Sequence, residues 1–144
     1  MTRKDIHELD SLWALTVKEK AKYKCEHCGL YNSRMEAAHV VGRRYRATRW
    51  GCFLEAKPEY DLCGHCFCHV CHQHYDEHGP RERKIIQLTI GVMRKALIQK
   101  RAEWKVAKGQ VFEEIKERLD IERAASDDSP YAEDITSGTS GRTD

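Results

Sequence analysis

No stretch of this chain approaches the roughly 20 consecutive apolar residues that a membrane-spanning helix requires. No apolar run follows the opening Met-Thr-Arg-Lys-Asp either, so neither a secretory leader nor a bilayer anchor is expected. These absences imply a soluble, cytoplasmic protein with no membrane partner. Proline and glycine are also scarce, three and nine in 144 residues, and no internal repeat is visible. Neither charge sign dominates, the formal net charge being only +2. That balance conceals an asymmetry. Residues 125–144 hold five acids against Arg142 alone, a net −4 that leaves +6 on residues 1–124. A moderately basic body suits a polyanionic partner.

What is present is a composition able to fold, with 40% hydrophobic and 33% charged residues. One domain of this length has a small core, of the kind often reinforced by metal or disulfides. Seven cysteines are available for that task. A reducing compartment favours metal over disulfides, and the odd count leaves at least one thiol outside any pairing.

The apolar pattern divides the chain into four parts. Ile6, Leu9, Trp13 and Val17 at helical spacing, with Asp5 as N-cap and Glu8 three residues on, predict an N-terminal helix within residues 1–22. Residues 23–80 form the central domain, in which Met35 to Val41 reads as a strand and Leu62 to Phe67 as its partner. Residues 43–60 between them read as a long loop. Ile86, Ile90, Met93, Leu97 and Trp104 predict one long helix after Gly79 and Pro80. With Phe112, Ile115 and Leu119 continuing the pattern, a helical extension spans residues 81–124. The polar, acidic residues 125–144 read as a disordered tail.

Cys25-x2-Cys28 and Cys68-x2-Cys71 can each present two thiolates from a tight turn, and four thiolates complete the tetrahedral shell of a structural zinc. Cys63 and Cys66 form a further pair, with Cys52 to spare. A second ion would require Cys52, Cys63, Cys66 and His65 or His69 to converge; otherwise Cys66 is a strand residue facing the core. Cys63-x-His65-x2-Cys68-x2-Cys71 also imitates part of a cross-braced RING-type interaction module, but no cysteine follows Cys71 to complete it. Trp13 and Trp104 fall in apolar helical stripes and read as core.

His39 ends the apolar run Glu36-Ala37-Ala38-His39-Val40-Val41, and His69, His72, His74 and His78 crowd the second knuckle. On a helix, His72 and Asp76 share one face, as do His74 and His78, and either pair can chelate a divalent ion. Arg43, Arg44, Arg46 and Arg49, interleaved with Tyr45 and Trp50, follow His39 closely. Guanidinium forks bind phosphate and aromatic rings stack on bases, which makes this segment the first candidate for DNA contact. Residues 81–108 add nine Lys or Arg against Glu82 and Glu103.

From Leu9 to Leu97 the sequence resembles the HNH endonucleases, in particular phage-type members with a zinc-knuckled ββα-metal (His-Me finger) site. The resemblance rests on Cys25-x2-Cys28, on Ala38-His39-Val40-Val41-Gly42-Arg43-Arg44-Tyr45, on Thr48-Arg49-Trp50 and on Cys66-Phe67-Cys68-x2-Cys71-His72. It implies an α+β fold in which a β-hairpin packs on a helix and zinc ties the two together. It implies metal-dependent hydrolysis of DNA phosphodiesters, with a role in phage DNA processing in the host cytoplasm. His39 then matches the general base, and His72 the helix histidine that binds a catalytic Mg²⁺ or Mn²⁺. Asp76 and His78 are further candidate metal ligands. The chain departs from the family twice. Ala38 stands where an acid or histidine binds metal, for which Glu36 on the same strand face is the substitute. Cys63 stands at the family's central Asn, whose loop-steadying role falls to Asp61. These departures keep two other readings open: a zinc-bound DNA-binding module with a degenerate nuclease site, and the RING-like interaction module.

Overall fold

In the computed structural model, residues 1–32, 34–54, 57–77, 91–103 and 111–127 are described. The fold mixes helices with two small antiparallel sheets and is α+β. Helix α1 (Arg3–Lys20) buries Leu9, Trp13 and Val17, three of the four residues of its apolar stripe. Its N-cap is Thr2 rather than Asp5. The Thr2 hydroxyl accepts the Asp5 N–H at 3.1 Å, and the Asp5 carboxylate accepts the Thr2 N–H at 3.0 Å, a reciprocal capping box that starts the helix earlier than Glu8 would.

Strand β1 (Glu36–His39) follows. Between it and its partner lie a single helical turn, α2 (Arg46–Arg49), and a hairpin of β2 (Cys52–Leu54) and β3 (Lys57–Asp61). The segment 43–60 is therefore structured over most of its length, contrary to the loop expected. Its strands are too short and irregular to show a clear alternation in sequence. Strand β4 (Gly64–Phe67) then returns antiparallel to β1, pairing Glu36 with Phe67 and His39 with Gly64. Helix α3 (His69–Glu77) follows β4 directly and packs on both strands.

Helix α4 (Val92–Ala102) covers β2 and α2, burying Ile98 and Ala102. Met93, expected on the inner stripe, is 74% exposed; the inward face of α4 is set by Ile98 instead. Ile86, Ile90 and Trp104 lie outside the described residues. Helix α5 (Phe112–Asp127) lies along α1, with Leu119 in the main core and Phe112 and Ile115 packed against it. Lys20 and Glu122 pair across these helices at 2.7 Å. The helix runs to Asp127, so residues 125–127 of the expected tail are helical; residues 128–144 lie outside the described residues.

A polar chain centred on the buried His65 ties α4 to the centre of the molecule. Arg94 makes a two-pronged pair with Asp61 (2.6 and 2.7 Å) and donates to His65 Nε2 at 3.1 Å. Since guanidinium only donates, His65 carries its proton on Nδ1, which donates to Glu26 at 2.8 Å. The other Glu26 oxygen accepts the Cys66 N–H at 2.6 Å. His65 is 1% exposed, so losing its partner leaves a polar ring nitrogen in the interior. Arg94→Ala is expected to cost about 2–3 kcal/mol, read as a lower urea midpoint with an unchanged slope. A midpoint equal to that of the parent would show that the chain contributes nothing.

Candidate metal centre and adjoining cleft

The sulfur atoms of Cys25, Cys28, Cys68 and Cys71 all lie within 4.8 Å of one another. Cys28 and Cys68 sulfurs are 3.7 Å apart, close to the ~3.8 Å edge of a tetrahedron with metal–sulfur bonds of about 2.3 Å. The four can thus hold a metal ion such as zinc. Each knuckle is built by local backbone geometry. In the first, Gly29 takes φ +83°, the Cys25 N–H bonds Leu30 O at 2.7 Å, and the Cys28 N–H points at Cys25 Sγ from 3.5 Å. In the second, Cys68 directly follows β4 and its carbonyl accepts the His72 N–H at 2.9 Å, which starts α3. Glu26 N–H to Cys66 O, 2.8 Å, joins the first knuckle to β4.

Burial pushes the Cys25 thiol up, but backbone N–H groups of Cys28, Cys68 and His27 outweigh it and bring it down to about 7. Cys71 moves the other way, raised by burial and by the neighbouring sulfurs. Without a cation, then, one thiolate forms readily at the expense of the others; a dication removes that conflict. His27 Nδ1 lies 3.3 Å from Cys71 Sγ. Nothing in sequence marks His27 beyond its place inside the first knuckle.

Among the described residues this is the sole set of three or more ligating side chains gathered so closely. The second ion considered for Cys52, Cys63 and Cys66 is therefore not assembled there. Cys66 is fully buried in the main core, as expected, whereas Cys52 and Cys63 belong to a separate cluster with Val40, Leu54 and Ile98.

A cleft of about 540 Å³ is lined in part by Asp10, Trp13, His39, Arg43, His72 and Tyr75; the cysteine centre borders a separate hollow, lined in part by Cys25, Cys28, Asp61 and Arg94. His39 is fixed from two sides. Its ring stacks on Trp13, centroids 3.9 Å apart and planes 11° off parallel. Gly64 opposite His39 makes room for that indole, because a Cβ there would stand 2.4 Å from Trp13 Cζ2. His39 Nε2–H donates to the Arg49 carbonyl oxygen at 3.0 Å. A carbonyl can only accept, so the neutral ring carries its lone pair on Nδ1. Burial lowers the His39 pKa below its ordinary 6.5; hydrogen bonding to Arg49 and the charge of Asp10 oppose this without reversing it.

Asp10, which sequence reading passed over, holds the carbonyl-bearing turn in place. Its carboxylate takes Arg49 in a fork (3.0 and 2.7 Å) and the Trp50 indole N–H at 2.9 Å. Arg49 is thereby committed to an internal ion pair, and Trp50, 2% exposed, is core. Neither serves as the DNA-facing residue expected. Arg43, Arg44 and Arg46 are exposed, and Tyr45 is half-buried under the Arg44 guanidinium.

On α3, His72 Nδ1 lies 2.7 Å from one Glu36 oxygen and His69 Nδ1 lies 2.9 Å from the other. Burial raises the Glu36 carboxyl, but the two imidazole hydrogen bonds overcome it and keep Glu36 ionised. Asp76 stands one turn beyond His72 on α3; its side chain and His78 lie outside the described residues. Asp61 does not reach this cleft. It accepts the Cys63 N–H at 2.7 Å and pairs with Arg94, which steadies the β3–β4 turn. That turn meets the strand carrying His39, because Cys63 O accepts the Val40 N–H at 3.0 Å.

Comparison of the chain with family models, curated proteins and solved structures yields no match.

Proposed function

We propose that this protein is a zinc-braced, metal-dependent DNA endonuclease of the HNH, ββα-metal kind. The observation that carries the reading is His39. It is a half-buried imidazole whose Nε2–H is held by a backbone carbonyl and whose pKa is lowered, in a cleft shared with a carboxylate-bound histidine and an exposed arginine. A neutral ring so held can take a proton from water through Nδ1 while that water attacks phosphorus. Zinc at the four cysteines would tie the knuckle before β1 to the start of α3, and so brace the strand of His39 against the helix of His72.

His72 has the donor chemistry for a divalent ion. With Nδ1–H directed to ionised Glu36, its lone pair lies on Nε2, the arrangement in which a carboxylate orients a metal-binding histidine. Glu36 therefore acts behind His72 instead of replacing the residue at Ala38, and Asp76 is the candidate carboxylate ligand. Mg²⁺ or Mn²⁺ bound there supplies Lewis-acid polarisation of the phosphate and charge stabilisation at the leaving oxygen. Arg43, at the cleft, and Arg44 and Arg46 beside it offer guanidinium contacts to the DNA backbone.

One observation favours a second reading. Ala38 is 2% exposed and brings no ligand to the strand, as in a DNA-binding module that has lost its chemistry. Supercoiled plasmid incubated with the zinc-loaded protein and Mg²⁺ or Mn²⁺ decides between them. Nicked or linear product is expected. Retarded but uncut plasmid would support the binding module, and plasmid neither bound nor cut would remove both.

A further inference from the structure

Cys52 and Cys63 take no part in the metal centre or the cleft, yet their sulfurs lie 3.0 Å apart. That is inside ordinary sulfur contact and about 1 Å from a disulfide bond length. The pair joins the first residue of β2 to the β3–β4 turn, 11 positions later in the chain. Cys63 is held there under constraint: its φ is +56°, in the left-handed region that a side chain disfavours, and its N–H is pinned by Asp61. Two sulfurs alone do not make a metal site, and the nearest carboxylate, Asp61, is engaged by Arg94. The remaining chemistry for two thiols so placed is oxidation.

We propose that Cys52 and Cys63 form a redox-active dithiol that reacts with small hydroperoxides and closes to an internal disulfide, independently of any nuclease activity. Cys52 is the attacking sulfur. Its thiolate is favoured by the Cys63 S–H beside it and by the positive charges of Arg101 and Arg94, against the opposing effects of burial and Asp61. The Cys52 thiolate displaces alkoxide or hydroxide from the peroxide, which is reduced by two electrons, and becomes a sulfenic acid. The Cys63 sulfur then attacks Cys52 Sγ, the S–S bond forms, and the oxygen leaves as water with the Cys63 proton. Exposures of 4% and 1% exclude a bulky disulfide, which restricts the substrate class to small peroxides.

The test treats zinc-loaded protein with hydrogen peroxide, traps remaining thiols, and maps crosslinked peptides by mass spectrometry while following zinc with a colorimetric chelator. Expected are a Cys52–Cys63 linkage, loss of two thiols per chain, retained zinc, and full reversal by dithiothreitol. Cys52→Ser and Cys63→Ser should each abolish the linkage while Cys66→Ser leaves it intact. Zinc content confirms that the variants are folded. Linkage confined to the four metal-centre cysteines with zinc released, or no linkage between residues 52 and 63 while zinc is retained, would overturn the proposal. So would equally fast reaction with oxidised glutathione.

Discussion

Removing zinc with a strong chelator, or replacing Cys68 with serine, is expected to unfold most of the protein. A structural zinc on four thiolates contributes on the order of 10 kcal/mol, comparable with the whole stability of a typical domain, about 5–15 kcal/mol. Here the cysteines join segments far apart in sequence. Cys25 follows α1, and Cys68 and Cys71 bracket the start of α3. With the ion gone, burial and the neighbouring sulfurs hold Cys71 protonated, and the core around Met35, Phe67 and Tyr75 loses its brace. The measurements are metal analysis, expected to give one zinc per chain, and thermal melting by circular dichroism with and without chelator. Binding should also release protons, because thiols whose pKa values are raised by burial and by each other become thiolates. Zinc affinity should therefore fall as pH is lowered. A metal-free protein that melts at the same temperature would show that the cysteines are a packing cluster and no brace.

The reasons some features were legible in the sequence and others were not are physical. C-x2-C spacing encodes its own geometry, since a tight turn brings the two sulfurs of a pair together whatever surrounds it, and the four meet. The β1–β4 pair was visible because both strands are short apolar runs with polar ends. The α1 stripe was visible because three of its four apolar residues face one core. The fate of the aromatic and basic residues after His39 was not. Arg49 and Trp50 look like DNA contacts until Asp10, 39 and 40 positions earlier, is seen to take both. An ion pair of that separation leaves no local pattern. The same holds for Arg94, Asp61, His65 and Glu26, each an ordinary polar residue in sequence and together a connected chain through the buried His65. The hairpin of β2 and β3 leaves no alternating pattern in sequence because its register is irregular between Phe53 and Leu54. Periodicity reports which face of an element is buried; polar partners chosen from distant elements are set only when the fold closes.

His39→Ala is expected to lower the rate of plasmid cleavage by about 10²–10⁴-fold, the usual contribution of a positioned general base, or roughly 3–5 kcal/mol of barrier. The alanine also uncovers the Trp13 ring that His39 stacks upon, so a loss of activity alone would not separate chemistry from packing. His39→Gln addresses this, because its amide can still donate to the Arg49 carbonyl but cannot accept a proton from water at neutral pH. Both variants should keep zinc and bind DNA, and both should be inactive. The pH profile supplies the independent sign. In the proposed mechanism the active ring is the neutral one, and burial holds the folded pKa below 6.5. Cleavage should therefore rise with pH to a midpoint below 6.5 and then level off. Stability shares this direction. Below 6.5 the unfolded chain takes up a proton at this residue more readily than the folded one, so the His39 contribution is fully present above that value and declines as pH falls past it. A rate that begins to rise only well above neutrality, or a His39→Gln variant that cleaves within a few-fold of the parent, would show that a different group takes the proton. In that case the Arg49 carbonyl and the Trp13 ring serve only to pack a histidine, and the cleft would be read as a DNA-binding surface without hydrolysis.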